Sequence, residues 1–499
     1  PVAVMFISLP HQLAAGLRPT ARPSRSTQLI PQYFQVQRWN RLPSTDRRLL
    51  CTSRPNWLSL STTFFEKHLP HQVPIPLYDI LHLDEDAMTV TVQPMVTIGD
   101  ITDYLIPKGY SLAVTIELVD ATLGGLALGT GMSTHSHKVG LYHETVTSYE
   151  LVLADGSLVV ATADNEHADL FRALPWSHGS LGFLVSLTLN IVKVKPYVKV
   201  TYTPVRGQKN YCDALRDLSG ANEPKPARHP DYIEGTVFSK DEAVIMTGDY
   251  SDLDPAVPVN KCSRWYKPWF YKHVETFLAR GQTVELIPLK DYLLRHNRAI
   301  FWVVEDMLPV GNHPLFRLLF GWLLPPKPAF LKFTTTPGVR AYTFTKQVFQ
   351  DIVLPIQELE RQIDKATELF DKFPLLVYPC KVVARGPAAG QLPAPHPRYL
   401  VPGTGYAMYN DLGVYGAPGR VRRREPYDPV RAMREMERFT REVGGYSFLY
   451  ADIFMTRDEF GQMFDLTLYE AVRSKYGAAG AFPHLYDKVR PEIDVTAAG

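Results

Sequence analysis

A glycine-dense segment at residues 122–131 limits what this chain can fold into more than any other part of it. The segment reads TLGGLALGTG and places four glycines within eight residues. Because glycine loses the most backbone entropy on folding and packs no side chain, the segment predicts neither a stable helix nor a central strand. Its bare backbone can approach a bulky group closely and point amide N–H groups at it. The segment therefore predicts a loop that binds a phosphate or a diphosphate.

Apolar and alternating runs on both sides of this segment predict short strands. Residues 149–160 predict a β-hairpin that turns at Asp155-Gly156, and residues 186–192 alternate as one further strand. Residues 75–92 predict two strands joined by an acidic turn, and residues 99–109 predict a short helix. The glycine-rich segment is therefore expected to lie among the strands of a domain that mixes helices and sheet.

The composition is that of a large globular chain. With 499 residues, 45% apolar content and 21% charge, it is long enough for two or more domains. The formal net charge is +2 and no long basic run is present, which argues against nucleic acid as a partner. The four cysteines (Cys51, Cys212, Cys262 and Cys380) are far apart and form no C-x-x-C pair. We expect reduced thiols in an intracellular compartment, with no disulfide framework and no metal site.

The first 31 residues predict a disordered or targeting-like segment. Residues 10–31 are rich in Arg, Ser, Thr, Pro and Gln and contain no acid, and the apolar run before them is far too short to span a bilayer. A transit peptide and a truncated start that has lost a membrane anchor both fit this composition.

The C-terminal part contains three stretches with a helical or apolar pattern. Residues 315–327 form an apolar run that Arg317 and a Pro-Pro pair interrupt, so it does not predict a transmembrane helix. Its length favours a buried core helix, and an interfacial helix that dips into lipid is the alternative. Residues 429–443 and 458–476 each predict one charged amphipathic helix.

Taken in order, the motifs of residues 93–192 resemble the FAD-binding domain of the vanillyl-alcohol-oxidase (PCMH) type of flavoproteins. These motifs are TLGG, GTG, SHK, YELVLADGS, DLF and GSLGFLV, and no Rossmann G-x-G-x-x-G follows a strand. The resemblance implies an α+β fold with a two-subdomain FAD-binding domain at residues 32–194. It also implies an α+β substrate or cap domain at 195–428 and a C-terminal helical segment at 429–499 that returns to the FAD domain.

The same resemblance implies which residues contact FAD. A strand and turn at residues 49–57 form a first phosphate-contacting loop, and the glycine-rich segment forms a second. Many flavoproteins of this type bond the flavin covalently to a histidine near the first loop. No histidine stands between Cys51 and Trp57, so non-covalent FAD is expected. The predicted cofactor-binding residues are Ser53, Arg54, Thr122, Gly124, Gly125, Gly129, Thr130, Gly131, Ser136, His137, Gly140 and Gly182.

Further motifs narrow the resemblance to the sterol Δ24-reductase family. They include VRG, DEAVIMTG, YKPWFYKHVE, LFGWL and YAD, and the matched stretch runs from Cys51 to Tyr486. This resemblance implies an FAD-dependent, NADPH-consuming reduction of the C24 side-chain double bond of a sterol or related lipid. It also implies action at a membrane surface, that of the endoplasmic reticulum. No basic motif for the NADPH phosphates is found, and the oligomeric state stays open.

Reduction of an unactivated alkene needs a proton donor as well as a hydride donor, because no carbonyl stabilises negative charge. Protonation of the less substituted carbon gives a tertiary cation, which hydride from the reduced flavin quenches in a site that excludes water. The candidate acids are His296, Tyr292 and Glu305, with Tyr378 and Tyr409 as further alternatives.

Two arginines accompany the histidine candidate. Arg295 and Arg298 flank His296 and are expected to lower its pKa, since like charges disfavour the imidazolium. A salt-bridged or solvated face is the structural alternative for this run. The run also departs from the family, because Leu294 stands where the family commonly has a histidine, and the acid after the Phe-Trp pair is displaced to Glu305.

Two other functions remain open from the sequence. An FAD-linked oxidase or an alkene isomerase would act on another hydrophobic terpenoid without NADPH. A non-catalytic binding protein would keep the fold and lose the reaction.

Overall fold

Three β-sheets carry the fold of the computed structural model, which describes residues 25–63, 65–223, 229–324, 336, 338–340 and 346–495. Helices and strands alternate without a parallel, doubly wound sheet, so the predicted α+β class is confirmed. The part of the predicted N-terminal segment before residue 25 lies outside the described residues. From Arg25 onward that segment is helical, which differs from the expectation.

The N-terminal half holds a two-stranded and a six-stranded sheet. The first pairs two strands in parallel, and the second has the order β3-β4-β8-β6-β7 with β5 also paired to β8. The strands are β1 (Leu50–Thr52), β2 (His71–Val73), β3 (Ile80–Asp84), β4 (Thr89–Val92), β5 (Tyr110–Leu112), β6 (Val146–Val152), β7 (Leu158–Ala161) and β8 (Phe183–Lys193). The helices are α1 (Arg25–Asn40), α2 (Ile98–Leu105), α3 (Leu123–Gly129), α4 (Ser136–Val139) and α5 (Ala168–Ala173).

The remainder of the described chain builds one eight-stranded antiparallel sheet, here the large sheet. Its order is β12-β9-β11-β10-β14-β15-β13-β16. The strands are β9 (Tyr197–Arg206), β10 (Tyr232–Ser239), β11 (Glu242–Ser251), β12 (Thr283–Pro288), β13 (Val348–Pro355), β14 (Leu375–Val383), β15 (Tyr406–Gly416) and β16 (Tyr446–Ser447). The helices are α6 (Gln208–Ser219), α7 (Phe270–Glu275), α8 (Phe277–Arg280), α9 (Leu289–Leu293), α10 (Val303–Met307), α11 (Pro314–Phe320), α12 (Leu359–Phe370), α13 (Gly419–Arg422), α14 (Pro429–Glu442), α15 (Arg457–Met463), α16 (Thr467–Lys475) and α17 (Leu485–Val489).

The two faces of the large sheet have different partners, because successive strand residues point to opposite sides. Val377 and Leu412 face an outer core that includes residues of α12 and α14. Tyr378 and Tyr409 face inward and belong to the same core as Leu123 and other residues of the N-terminal half. The inner face of the large sheet therefore forms a wall against the segment that was predicted to bind the cofactor.

The C-terminal helices divide between these two parts. Helix α14 packs in the outer core of the large sheet, whereas α16 returns to the N-terminal half. Arg473 of α16 donates to the Ser180 carbonyl at 2.9 Å. The amide of Leu50 donates to the Ala481 carbonyl, which ties β1 to the chain end.

Several local predictions are confirmed. Strands β6 and β7 form the predicted hairpin, and Gly156 adopts the positive φ of 87° that its turn requires. Strands β3 and β4 form the predicted antiparallel pair. Helix α2 starts at a capping box in which Thr97 and Asp100 exchange side-chain to backbone hydrogen bonds. All four cysteines are free and buried.

The loop predicted at the glycine-rich segment is wrong, because residues Leu123–Gly129 form the helix α3. A Cβ atom on Gly124 would lie 2.4 Å from the Cβ of Pro94, so glycine lets the helix pack directly on the chain that precedes α2. Leu123 and Ala127 are buried on the same helix. Tertiary packing thus outweighs the poor helix propensity of the glycines.

Two predictions in the C-terminal part are also wrong. The helix predicted at 458–476 is broken into α15 and α16 by Phe464, which is extended and buried. The apolar run that starts at residue 315 is not core, since Leu315, Leu318 and Leu319 are 63%, 60% and 59% exposed. None of the described helices is long and apolar enough to cross a membrane.

The packing of α3 predicts the effect of adding one methyl group. Gly124→Ala should destabilise the protein by about 1–3 kcal/mol, because the new Cβ overlaps Pro94. Thermal unfolding should then show a lower Tm. Gly461→Ala in α15 is the matched control, since a Cβ there meets no atom within 4 Å and alanine favours a helix. Equal melting temperatures for the two variants would contradict the packing argument.

Candidate active site

Partly buried cations gather where the first predicted phosphate loop meets α3. Arg54 donates to Thr122 Oγ1 at 3.4 Å and to the Leu58 carbonyl at 2.6 Å, and its Nε is buried without a hydrogen-bond partner. Lys67 donates to the Thr52 carbonyl at 3.2 Å. Lys488 of α17 reaches the same crevice and donates to the His178 carbonyl. Three cations from distant parts of the sequence therefore surround one crevice.

The charge of this crevice suits a diphosphate. Burial lowers the pKa of Arg54, Lys67 and Lys488, and for Lys488 the neighbouring charge of Lys67 lowers the pKa further, to about 8. Asp120 is a carboxylate that acts on Arg54, and the three cations still leave a positive excess. A dianionic group would stabilise that excess, so these residues fit the diphosphate of FAD.

The segment at residues 176–179 supplies unused polar groups to the same region. Trp176 and His178 have positive φ values of 66° and 49°, which is strained for residues with a side chain. Trp176 Nε1, Ser177 Oγ and His178 Nε2 are buried without a hydrogen-bond partner. A Cβ on Gly129 would lie 3.4 Å from the His178 ring, so glycine keeps space between α3 and this segment. Strain and unsatisfied donors together indicate a ligand-binding crevice.

The predicted cofactor residues separate into three groups. Arg54, Thr122 and Gly129 border the crevice described above, and the Ser53 amide donates to the Val73 carbonyl at 2.9 Å. Thr130 directly follows α3, and its Oγ1 lies 2.7 Å from His143 Nδ1. Gly124, Gly125, Gly131 and Gly182 are positions where a Cβ would press on Pro94, Thr122, Ile116 and Val152.

Ser136, His137 and Gly140 instead join the two halves of the molecule. His137 Nε2 lies 2.9 Å from the Pro230 carbonyl, and a Cβ on Gly140 would lie 3.3 Å from the Lys381 carbonyl. Ser136 Oγ accepts a hydrogen bond from the Ser133 amide at 3.0 Å. Protein groups thus surround all three, and their contact with FAD stays a prediction.

A buried ion cluster lies on the inner face of the large sheet. It contains Arg295 and His296, two of the predicted catalytic residues, and Glu234. Glu234 of β10 accepts from Arg295 at 2.5 Å and lies 2.8 Å from His296 Nε2. All three side chains are buried. Burial alone would raise the pKa of Glu234, but Arg295 and His296 lower it to about 2. Glu234 is therefore a permanent anion that holds both basic residues in place.

The expected lowering of the His296 pKa is found, and Arg295 contributes to it as expected, although it is not the main cause. Burial is the main reason that the pKa of His296 is lowered, Glu234 opposes it, and Arg295 adds to it. Arg298 points elsewhere and donates to the carbonyls of Cys262, Lys267 and Trp265. His296 is stacked on Phe301 at 4.9 Å.

Of the other candidate acids, two lie beside this cluster and two have partners elsewhere. The Tyr292 hydroxyl lies 3.5 Å from Thr134 Oγ1, and burial raises its pKa. The Tyr378 hydroxyl accepts from Arg295 at 3.2 Å. Glu305 instead pairs with Lys272 at 3.3 Å with 32% of its side chain exposed. The Tyr409 hydroxyl donates to the Gly444 carbonyl at 3.0 Å.

A small cavity of about 10 Å³, enough for about one water molecule, lies between the ion cluster and the chain that follows α3. Its lining includes Thr134 from the N-terminal half, Leu293 and Arg295 from the other half, and the carboxyl-bearing Glu117. The pKa of Glu117 is raised to about 7, chiefly by burial, while Arg295 opposes the shift and Glu234 adds to it. The cavity thus offers a carboxyl group that is about half protonated at neutral pH.

Sequence reasoning missed Lys67, Lys488, Glu117 and Glu234. The sequence did indicate that Glu117 and Glu234 are unusual, because each is an acid inside an otherwise apolar run, TIELV and YIEGTV. The two lysines carried none, since their role depends on contacts across the folded chain. Among the described residues, no group of His, Cys, Asp or Glu is arranged to hold a metal ion.

Comparisons with known proteins give the family of this chain. An FAD binding domain model matches residues 75–162. The chain is 40% identical over 457 residues to the Delta(24)-sterol reductase of Homo sapiens, covering 91% of this chain and 84% of that protein. It is 37% identical over 462 residues to the Delta(24)-sterol reductase of Arabidopsis thaliana, covering 88% and 80%. Over 118 residues, 23% of each chain, it is 35% identical to a xylooligosaccharide oxidase of Thermothelomyces thermophilus. With this identity over nearly the whole chain, the protein belongs to the Delta(24)-sterol reductase family.

Proposed function

We propose that this protein reduces the C24 side-chain double bond of a sterol, using FAD and consuming NADPH. The observation that carries the proposal is the cavity at Glu117, which places a partly protonated carboxyl between the cofactor half and the large sheet. The relatives that match nearly the whole chain are named for this reaction. We assign FAD binding to residues 32–194, substrate binding to 195–428 and a supporting role to 429–499.

The cofactor half would hold FAD through charge and close packing. Arg54, Lys67 and Lys488 would bind its diphosphate, and Gly129 with the unsatisfied groups of residues 176–178 would border the rest. When bound and reduced, FAD supplies a hydride. NADPH would then supply the hydride that reduces FAD again.

The large sheet would supply the other requirements of alkene reduction. Its inner face is apolar and aromatic around a buried ion cluster, which would exclude water from a bound hydrophobic side chain. A tertiary cation formed next to this cluster would be stabilised by the anionic Glu234, whose charge is permanent. An oxidase would need a base in this place, whereas the carboxyl that lines the cavity has a raised pKa and serves as an acid.

We further propose that the protein acts at a membrane surface, that of the endoplasmic reticulum, through an apolar surface around α11. This surface consists of Trp265, Tyr266, Leu315, Leu318, Leu319, Phe320, Trp322 and Leu323, all exposed. It is one continuous patch, because a Cβ on Gly321 would lie 2.6 Å from the Trp265 carbonyl.

The composition of this surface favours a lipid interface. Exposed leucines beside tryptophan and tyrosine are typical of segments that lie in the headgroup region. Lys261 and Arg264 are exposed on the adjoining loop, where they would attract anionic lipids. A sterol dissolved in the bilayer would then reach the protein without crossing water.

The proposed reaction predicts a sequence of flavin spectra. NADPH should bleach the visible flavin absorbance of the FAD-loaded protein under anaerobic conditions, and a Δ24-sterol added last should restore it. Bleaching without recovery would contradict the sterol as substrate. Rapid oxygen consumption with a terpenoid alcohol, and no effect of NADPH, would favour the oxidase.

The cation crevice predicts how FAD affinity responds to charge. Lys488→Met should weaken FAD binding by about 10- to 100-fold, since a charge-assisted hydrogen bond contributes about 1.5–3 kcal/mol. Titration of the apoprotein with FAD, followed by flavin fluorescence, measures the Kd. Lys475→Met removes an exposed lysine that pairs with Asp169 and should leave the Kd unchanged. Equal Kd values for both variants would remove Lys488 from the proposed site.

The apolar surface predicts lipid binding. Leu318→Glu should reduce binding to phosphatidylcholine vesicles that contain phosphatidylserine by about tenfold or more, because a buried leucine contributes about 1.5–3 kcal/mol. Co-flotation measures the bound fraction. Leu253→Glu is the control, since Leu253 is 57% exposed between β11 and the segment that leads to α7. Unchanged flotation of L318E, with loss of a self-associated form, would point to a protein partner instead.

A further inference from the structure

Three buried carboxyl groups meet on the inner face of the large sheet. Asp351 lies on β13 and Asp411 on β15, and both point to the same side as Tyr378 and Tyr409. Glu117 approaches from the N-terminal half, in the chain between β5 and α3. All three are at most 4% exposed. Carboxyl groups are almost never this buried unless they are paired or protonated.

Two of the three carboxyls, Glu117 and Asp351, accept hydrogen bonds from tyrosines, and none of the three has a basic partner of the strength that Glu234 has. Tyr378, the register partner of Asp411, donates to Glu117. Tyr415 donates to Asp351 Oδ1. One oxygen of Glu117 and one of Asp411 are buried without a hydrogen-bond partner, and Arg295 lies 3.6 Å from that Glu117 oxygen. An oxygen without a donor is what a carboxylic acid needs in order to carry a proton toward a neighbour.

The charges around these groups keep protons on them. Burial raises the pKa of Asp411 well above its ordinary value, and the charges of Asp351 and Glu117 raise it further. Burial raises the pKa of Asp351 to about 6. Whenever Asp351 is ionised, its charge helps to hold a proton on Asp411.

The groups that face Glu117 come from several elements. Arg295 follows α9 and favours the carboxylate, whereas Glu234 on β10 favours the acid. Tyr292 on α9 and Tyr378 on β14 stay neutral, because burial raises both pKa values. His135, which lines the same cavity, also stays neutral since burial lowers its pKa.

Resting on the proposed sterol reduction, we infer that Glu117 is the acid that protonates the alkene and that Asp411 supplies its replacement proton. The O–H bond of Glu117 breaks and a C–H bond forms at the less substituted alkene carbon. The tertiary cation would then take up a hydride, which reduced FAD would supply when bound and which NADPH would replace. The Glu117 carboxylate takes a proton from Asp411, and Asp411 regains one from water between turnovers.

His296 does not take this role. Its Nε2 faces the anionic Glu234, and its ring is enclosed by Phe301 and Phe270. Glu117, in contrast, lines the cavity itself. Glu117 therefore combines a place in the cavity lining with a pKa raised toward neutrality.

A single-turnover experiment tests the assignment. The FAD-loaded protein is reduced with one equivalent of NADPH under anaerobic conditions and mixed with a Δ24-sterol between pH 6 and pH 9. The recovery of flavin absorbance should slow as the pH rises through about 7, because the pKa of Glu117 is raised to about 7 and its acid form is lost above it. Glu117→Gln should slow recovery by about 10²–10⁴-fold and abolish this dependence. The rate of bleaching by NADPH should change less than threefold.

Two further variants separate chemistry from structure. Glu437→Gln is a matched control, since Glu437 is a buried glutamate of α14 whose pKa is raised to about 8 by burial. It should keep both half-reactions and the pH dependence. Asp411→Asn should keep the first turnover and slow the following ones, because only the reloading of Glu117 is impaired. A general loss of structure would slow the first turnover as well.

The outcomes are distinct for the inference and for the proposed function. If sterol fails to restore the absorbance of the unmodified protein, the proposed function fails. If the unmodified protein is active and E117Q keeps its rate and pH dependence, the acid lies elsewhere and the inference is overturned. Should E117Q fail to bind FAD, Glu117→Asp decides, since it must keep the alkaline loss of rate with a reduced maximum.

Discussion

The guanidinium of Arg295 lies where the two halves of the molecule meet. It donates two hydrogen bonds to Glu234, donates one to Tyr378 and lies 3.6 Å from Glu117. Because Arg295 pairs mostly with Glu234, the pKa of that carboxyl falls to about 2, whereas the pKa of Glu117 stays raised at about 7. One buried cation thus divides two neighbouring glutamates into an anion and an acid. Loss of Arg295 would leave the buried Glu234 with His296 as its remaining basic partner, at a cost of about 3–5 kcal/mol.

Opposite charges are segregated on the two sides of the molecule. The crevice of the N-terminal half is bordered by Arg54, Lys67 and Lys488, while the inner face of the large sheet carries Asp351 and Asp411. Cations attract a diphosphate, and buried carboxyls retain protons. Under the proposed function, the fold would thus give the hydride source and the proton source the separate environments that each needs.

Local patterns predicted much of the fold, because strands and turns depend on neighbouring residues. The hairpin at Gly156 and the capped start of α2 at Thr97 follow from short-range rules. Helix α3 escaped prediction since contact with Pro94, distant in sequence, makes its glycines favourable. The crevice escaped in the same way, as Lys488 enters it from the other end of the chain.

The sequence predicted only part of the candidate site, and the reason differs from the one that applies to the fold. The basic run at Arg295 and His296 does lie in the buried cluster, but its role could not be derived without knowing that Glu234 faces it. Spacing alone cannot distinguish a charge that is paired from one that is free, and the two have opposite consequences for a pKa. The apolar run at Leu315 shows the converse limit, since apolar content does not reveal which side of a helix is covered.

Arg298 links the site to the exposed apolar surface. It follows Arg295 by three residues, and its guanidinium donates to the carbonyls of Cys262, Lys267 and Trp265. Those carbonyls belong to the loop that presents Trp265 beside α11, so one short run of chain places Arg295 in the ion cluster and Arg298 against the loop of the exposed apolar surface. Burial lowers the pKa of Arg298 to about 10, which still leaves it charged at neutral pH. Under the proposed function, this loop would connect the exposed apolar surface at α11 to the ion cluster beside Glu117.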